Sequence, residues 1–82
     1  MKVEFHNTPG SKPYYTVLVE KGELEIGNGR TLDFSTWIGT IDLNGKITQW
    51  TPAGYCPRGY KAAAARALTQ ARDELRKGGN VQ

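Results

Sequence analysis

The stretch Arg58–Lys77, RGYKAAAARALTQARDELRK, limits what this chain can become more than any other. It is the one segment whose apolar residues recur at helical spacing. The residues before it read as strands and turns that would supply a sheet for it to cover. Placed at about 100° per residue, Tyr60, Ala64, Ala67, Leu68, Ala71 and Leu75 fall in one stripe as wide as a core-facing helix needs. Half of these side chains are alanine, which predicts a helix lying close to its partner. Leu68 and Leu75 are the main anchors, each worth about 1.5–3 kcal/mol if buried. Pro57 suits a first helical position, whereas Gly59 is a poor first-turn residue, so the start falls between residue 58 and Tyr60. Arg72, Arg76 and Lys77 suit the negative end of the helix dipole, and Gly78-Gly79 predicts a stop. The expected helix is therefore about 58–77, with a frayed tail over 78–82.

The residues ahead of it read as strands and turns. Lys2–His6 alternates Val3 and Phe5 with polar neighbours, and NTPGSKP over 7–13 is turn chemistry throughout. YYTVLVE over 14–20 is rich in β-branched and aromatic residues, with Tyr15, Val17 and Val19 on one face and Tyr14, Thr16 and Leu18 on the other. With both faces partly apolar, it reads as a central strand. Segments 23–26 and 30–43 flank Gly27-Asn28-Gly29, which tolerates positive φ and predicts a tight reversal. Within the second segment, Trp37, Ile41 and Leu43 are expected to share a face. Asn44-Gly45 then predicts a hairpin to a return strand over 46–50, and TPAGYCPRG over 51–59 connects the sheet to the helix. The fold class is α+β: a single domain with an antiparallel sheet of four to five strands and one C-terminal helix packed on one face.

Charge and cysteine usage narrow the function classes. No apolar run approaches the roughly 18 residues of a membrane span, and MKVEFHNTPG has no apolar stretch of the kind a secretory signal needs. Cys56 is the sole cysteine, so the core must hold without an internal disulfide, and the cytoplasm is the expected compartment. The net charge of +3 is unevenly placed. Residues 1–57 carry Lys2, Lys12, Lys21, Arg30 and Lys46 against Glu4, Glu20, Glu23, Glu25, Asp33 and Asp42, a net −1. Residues 58–82 carry Arg58, Lys61, Arg66, Arg72, Arg76 and Lys77 against Asp73 and Glu74, a net +4. Two readings fit this layout: an interface for an acidic partner, and a solvated helix face chosen for solubility.

Catalytic chemistry finds little to build on. His6 is the only histidine and has no ligand-spaced histidine or cysteine, so neither a metal site nor a cofactor is expected. The carboxylates are dispersed, and the Gly27-Asn28-Gly29 turn lacks the spacing of a phosphate-binding glycine loop. Cys56, beside Arg58 near a helix start, is the one candidate nucleophile. The more informative cluster is Trp50, Tyr55, Arg58 and Tyr60, residue types enriched at binding hot spots. The alternative for Trp50 and Tyr60 is that they close the core beneath the helix, which leaves Tyr55 and Arg58 as the better surface candidates. The candidate partner-binding residues are therefore Arg58, Lys61, Arg66, Arg72 and Arg76, with Tyr55 and Trp50 as anchors.

Trp37, Asn44-Gly45-Lys46-Ile47, Gly54-Tyr55 and the alanine-rich helix, taken in order over roughly residues 35–75, resemble small bacterial and phage βββα domains of unknown function. The size and style of the chain also resemble phage-encoded inhibitors of host machinery, the anti-CRISPR proteins among them. That resemblance implies a non-enzymatic modulator docking on a host protein or ribonucleoprotein complex. The alternatives carried forward are direct nucleic-acid binding by the same basic face, and a small enzyme using Cys56.

Overall fold

The computed structural model describes residues 1–52 and 54–81, with side chains through Lys77. Its elements are β1 (Lys2–His6), β2 (Tyr14–Val19), β3 (Glu25–Gly27), β4 (Arg30–Thr31), β5 (Thr36–Asp42), β6 (Ile47–Gln49) and α1 (Tyr60–Val81). Strands β1, β2, β5 and β6 form one antiparallel sheet in the order β1-β2-β5-β6, so β2 is a central strand. Strands β3 and β4 form a separate two-stranded ribbon. The domain is α+β, with α1 packed on β5, β6 and β3.

The stretch expected as one strand over 30–43 is two. Leu32 leaves the strand path, enters the core with no exposed surface, and exchanges backbone hydrogen bonds with Gly22 and Leu24 (2.8 Å each). Asp33 and Phe34 then turn the chain into β5. Within β5 a bulge intervenes: Val17 faces Gly39, but Leu18 faces Trp37, leaving Ile38 as the extra residue. The bulge reverses the inside–outside alternation, so Ile38 and Ile41 are both buried although three residues apart. The expected common face of Trp37, Ile41 and Leu43 is thereby corrected. Trp37 shares the outer face with its partner Leu18, and Leu43 sits in the hairpin loop at 59% exposure.

The two asparagine–glycine turns differ. Asn28 (φ 53°) and Gly29 (φ 74°) both take positive φ, as a two-residue reversal between Gly27 and Arg30 requires. At Asn44-Gly45 the glycine alone does (φ 86°). There the loop has three residues, closed by the Gly45 N–H donating to the Asp42 carbonyl (3.0 Å) and the Asp42 N–H donating to the Lys46 carbonyl (3.0 Å). The Asp42 side-chain Oδ1 accepts from the backbone N–H groups of Asn44 (2.9 Å) and Lys46 (2.8 Å), which selects the longer loop. The return strand is accordingly 47–49 rather than 46–50.

Gly59 (φ 88°) precedes the helix, and the Ala63 N–H donates the first helical bond to its carbonyl (3.1 Å). The buried face of α1 is Tyr60, Ala63, Ala64, Leu68 and Ala71, with Ala67 and Leu75 half-buried against the same core. Small residues bring helix and sheet together at Gly39, where an added Cβ would lie 2.5 Å from the Thr48 carbonyl oxygen and 2.9 Å from Leu68 Cδ1. The helix does not stop at Gly78-Gly79 but continues to Val81. Glycine costs about 1 kcal/mol per position in a helix, and no proline follows to compel a break. Gln82, the end of the expected tail, lies outside the described residues.

Candidate interaction surfaces

The helix distributes its cations over several sides. At about 100° per residue, Arg66 and Arg72 project roughly 120° apart. Arg72 and Arg76 lie toward the β5–β6 hairpin and, with Tyr15, Ile41, Leu43 and Leu75, line an open cleft of about 520 Å³. An added Cβ on Gly45 would meet Arg76 Nη2 at 2.7 Å, so the guanidinium rests directly on that turn. Arg66 lies on the opposite flank, in a cleft of about 490 Å³ shared with Val19, Glu23, Leu24, Glu25 and Ala67. Lys61 is exposed near the start of the helix, and its carbonyl accepts from Gln49 Nε2 (3.1 Å).

These cations are poorly neutralised. Among the described residues the basic side chains of 58–77 make one ion pair, from Arg72 Nε to Asp73 Oδ1 at 3.4 Å. Glu23, one of the two carboxylates lining the Arg66 cleft, is engaged elsewhere. It accepts from the Met1 amino group and from the Glu20 backbone N–H (2.6 Å), and these contacts hold its carboxyl below the ordinary range.

The aromatic candidates part company. Trp50 is 40% exposed at the sheet end; its N–H donates to the Ile38 carbonyl (2.9 Å) and its carbonyl accepts from the Tyr60 hydroxyl (3.3 Å). Its backbone thus closes the helix–sheet junction while its ring stays half-open. Burial, and secondarily Cys56, push the Tyr60 hydroxyl above its ordinary pKa. Tyr55 is 65% exposed, and the Phe34 ring centroid lies 6.5 Å away at a tilt of 52°. Tyr55 and Arg58 share a third cleft, of about 470 Å³, with Arg30, Asp33, Ile26 and Pro57. Arg30 is the residue that sequence reasoning missed. It stands twenty-eight positions from Arg58, and the only hint was its place directly after the Asn28-Gly29 turn.

Cys56 and His6 have different neighbours. Cys56 is exposed, and its sulfur makes one long contact, 4.0 Å to the neighbouring Pro57 carbonyl. His6 Nε2 pairs with Thr16 Oγ1 (2.9 Å), Glu4 Oε1 lies 3.9 Å away, and the imidazole stacks on Tyr14 with centroids 5.0 Å apart. Among the described residues no three His, Cys, Asp or Glu side chains are grouped to hold a metal ion, and no helix is long and apolar enough to cross a membrane. The chain matches no protein-family model, no curated protein and no solved structure.

Proposed function

We propose that this chain is a small non-enzymatic binding protein that docks on an acidic surface of a larger host protein or ribonucleoprotein complex. In this reading it works in the cytoplasm, as a modulator of the kind encoded by phages and mobile elements. One observation carries the proposal: six cations over 58–77, of which Arg72 alone has a carboxylate partner among the described residues. An isolated domain gains little from leaving such a set unpaired, whereas an acidic partner gains orientation and association rate from it.

Arg58, Lys61, Arg66, Arg72 and Arg76 are the contacts, with Tyr55 and Trp50 as anchors. Their spread around the helix favours a partner that wraps or cups the domain over a duplex lying along one face. The runner-up, duplex binding through all five cations, predicts a slope of about −4.5 in log K against log[salt].

The test is affinity capture from the native host with the parent chain and with an Arg66→Glu, Arg72→Glu variant. Loss of one defined assembly on charge reversal, at an unchanged melting transition, is the expected result. Capture that charge reversal leaves untouched would overturn the reading. Retained capture by Cys56→Ser separates docking from the third possibility, an enzyme built on that thiol.

A further inference from the structure

We infer that the cleft between the β3–β4 ribbon and the connector before α1 takes one nucleotide of a single-stranded nucleic acid, its phosphate held by Arg30 and Arg58 and its base lying on the Tyr55 ring. This goes beyond the docking reading, because of the proposed contacts only Tyr55 and Arg58 line this cleft, and the remaining helix cations do not.

The cleft is lined by two arginines from distant parts of the chain, around a volume of about 470 Å³ that accommodates a nucleotide. Arg30 and Arg58 are both exposed, and neither has a carboxylate within ion-pair distance among the described residues. Planar guanidinium forks suit phosphate oxygens. Asp33, also in the cleft, is a single carboxylate against two cations, so the site keeps a net positive charge. As a carboxylate it can only accept, which suits a base amino group or a ribose hydroxyl.

The ring is what selects an unpaired strand. Among the described residues Tyr55 is the most exposed large hydrophobic side chain, and Phe34 meets it tilted rather than stacked. An open aromatic face beside paired cations is how sequence-tolerant single-strand sites are built, because every base has a face to stack. A duplex keeps its bases stacked on one another and has no use for the ring. An acidic peptide would satisfy the arginines and leave the ring idle. The scaffold is also fixed in advance. Arg30 follows the Asn28-Gly29 reversal, and Arg58 immediately precedes Gly59, which lies against the Ile26 carbonyl of β3.

The test is fluorescence anisotropy of labelled single-stranded DNA and RNA of about twelve nucleotides at roughly 50 mM salt. Tyr55→Ala should weaken binding about 5- to 150-fold, the range of one lost stack, while Tyr55→Phe stays within about twofold. Arg30→Gln and Arg58→Gln should each flatten the salt dependence, by about 0.7 for each phosphate no longer neutralised. Melting transitions matching the parent keep these effects local. The Arg66→Glu, Arg72→Glu variant must preserve the ratio between parent and Tyr55→Ala affinities, so failure of the docking reading and failure of this one are distinct. No binding of either strand, or binding indifferent to Tyr55→Ala, overturns the inference. So does displacement of the strand by polyglutamate at equal charge, which would make the cleft an acidic-peptide site.

Discussion

Replacing Gly59 by alanine tests the close approach that seats the helix. Gly59 holds φ at 88°, a conformation that costs an L side chain about 1–2 kcal/mol. Its missing side chain also makes room: an added Cβ would lie far inside contact distance of the Ile26 carbonyl oxygen, a backbone atom that no rotamer change can move. Forcing β3 and the start of α1 apart adds about 1–3 kcal/mol, by analogy with overpacked cores. Gly22 supplies the control, since it has nearly the same φ, 87°, with nothing within 4 Å of its added Cβ. Both substitutions reduce unfolded-chain freedom alike, so that gain cancels between them. Gly22→Ala should cost about 1–2 kcal/mol and Gly59→Ala about 2–5 kcal/mol. Against a stability of about 4–12 kcal/mol for a domain of this length, the second leaves a marginal fold. Urea denaturation followed by the fluorescence of Trp37 and Trp50 reads both values, provided the m-value is unchanged. Equal costs for the two substitutions would refute the close approach of α1 to β3.

Gly39 tests the other close approach without any φ penalty, because its backbone is ordinary strand. Gly39→Ala should destabilise by about 1–3 kcal/mol, and its combination with Leu68→Ala should fall short of additivity by at least about 0.5 kcal/mol. Strict additivity in the double-mutant cycle would show that the helix does not press on this strand. Tyr60 predicts an alkaline limit. Its pKa in the fold is raised above the ordinary 10.0, so its contribution is complete below that pH and is lost as pH rises through the folded value. Tyr60→Phe should cost about 0.5–1.5 kcal/mol near neutrality through the lost bond to the Trp50 carbonyl. That gap should close above pH 10; a constant gap in urea midpoints across this range argues against the burial of the hydroxyl.

Periodicity carries the helix and the sheet's identity because both depend on which residues are apolar, and composition along the chain records that. The buried stripe Tyr60, Ala64, Leu68 and Ala71 is legible for this reason, as is the central place of β2, apolar on both faces. The bulge at Ile38 is not. It depends on which residues pair across β2 and β5, and Trp37-Ile38 reads equally well in either register. The two asparagine–glycine turns look alike in sequence although a carboxylate distinguishes them. Asp42 draws two backbone N–H groups to its side chain and lengthens its loop, while no acid stands at the corresponding place before Asn28. The break between β4 and β5 escapes a sequence reading because Leu32 is apolar like its strand neighbours, and only its tertiary burial takes it out of line.

The same limit separates the helix cations from the cleft. Arg58, Lys61, Arg66, Arg72 and Arg76 are near in sequence, which suggests one surface, yet helical geometry sends Arg66 and Arg72 to opposite flanks. Arg30 and Arg58 are distant in sequence and share a cleft, because Gly59 lets the start of α1 lie against β3. The glycine that seats the helix is therefore also the one that assembles the cleft. If the proposed single-strand site is real, stability and recognition are coupled through this one backbone contact, and a shift at Gly59 should move both. Gly59→Ala is then expected to weaken single-strand binding even in the fraction that remains folded, while Gly22→Ala, with its strain but no contact at the cleft, should leave binding unchanged. Equal binding by the two folded variants would mean that the cleft forms without the helix seat.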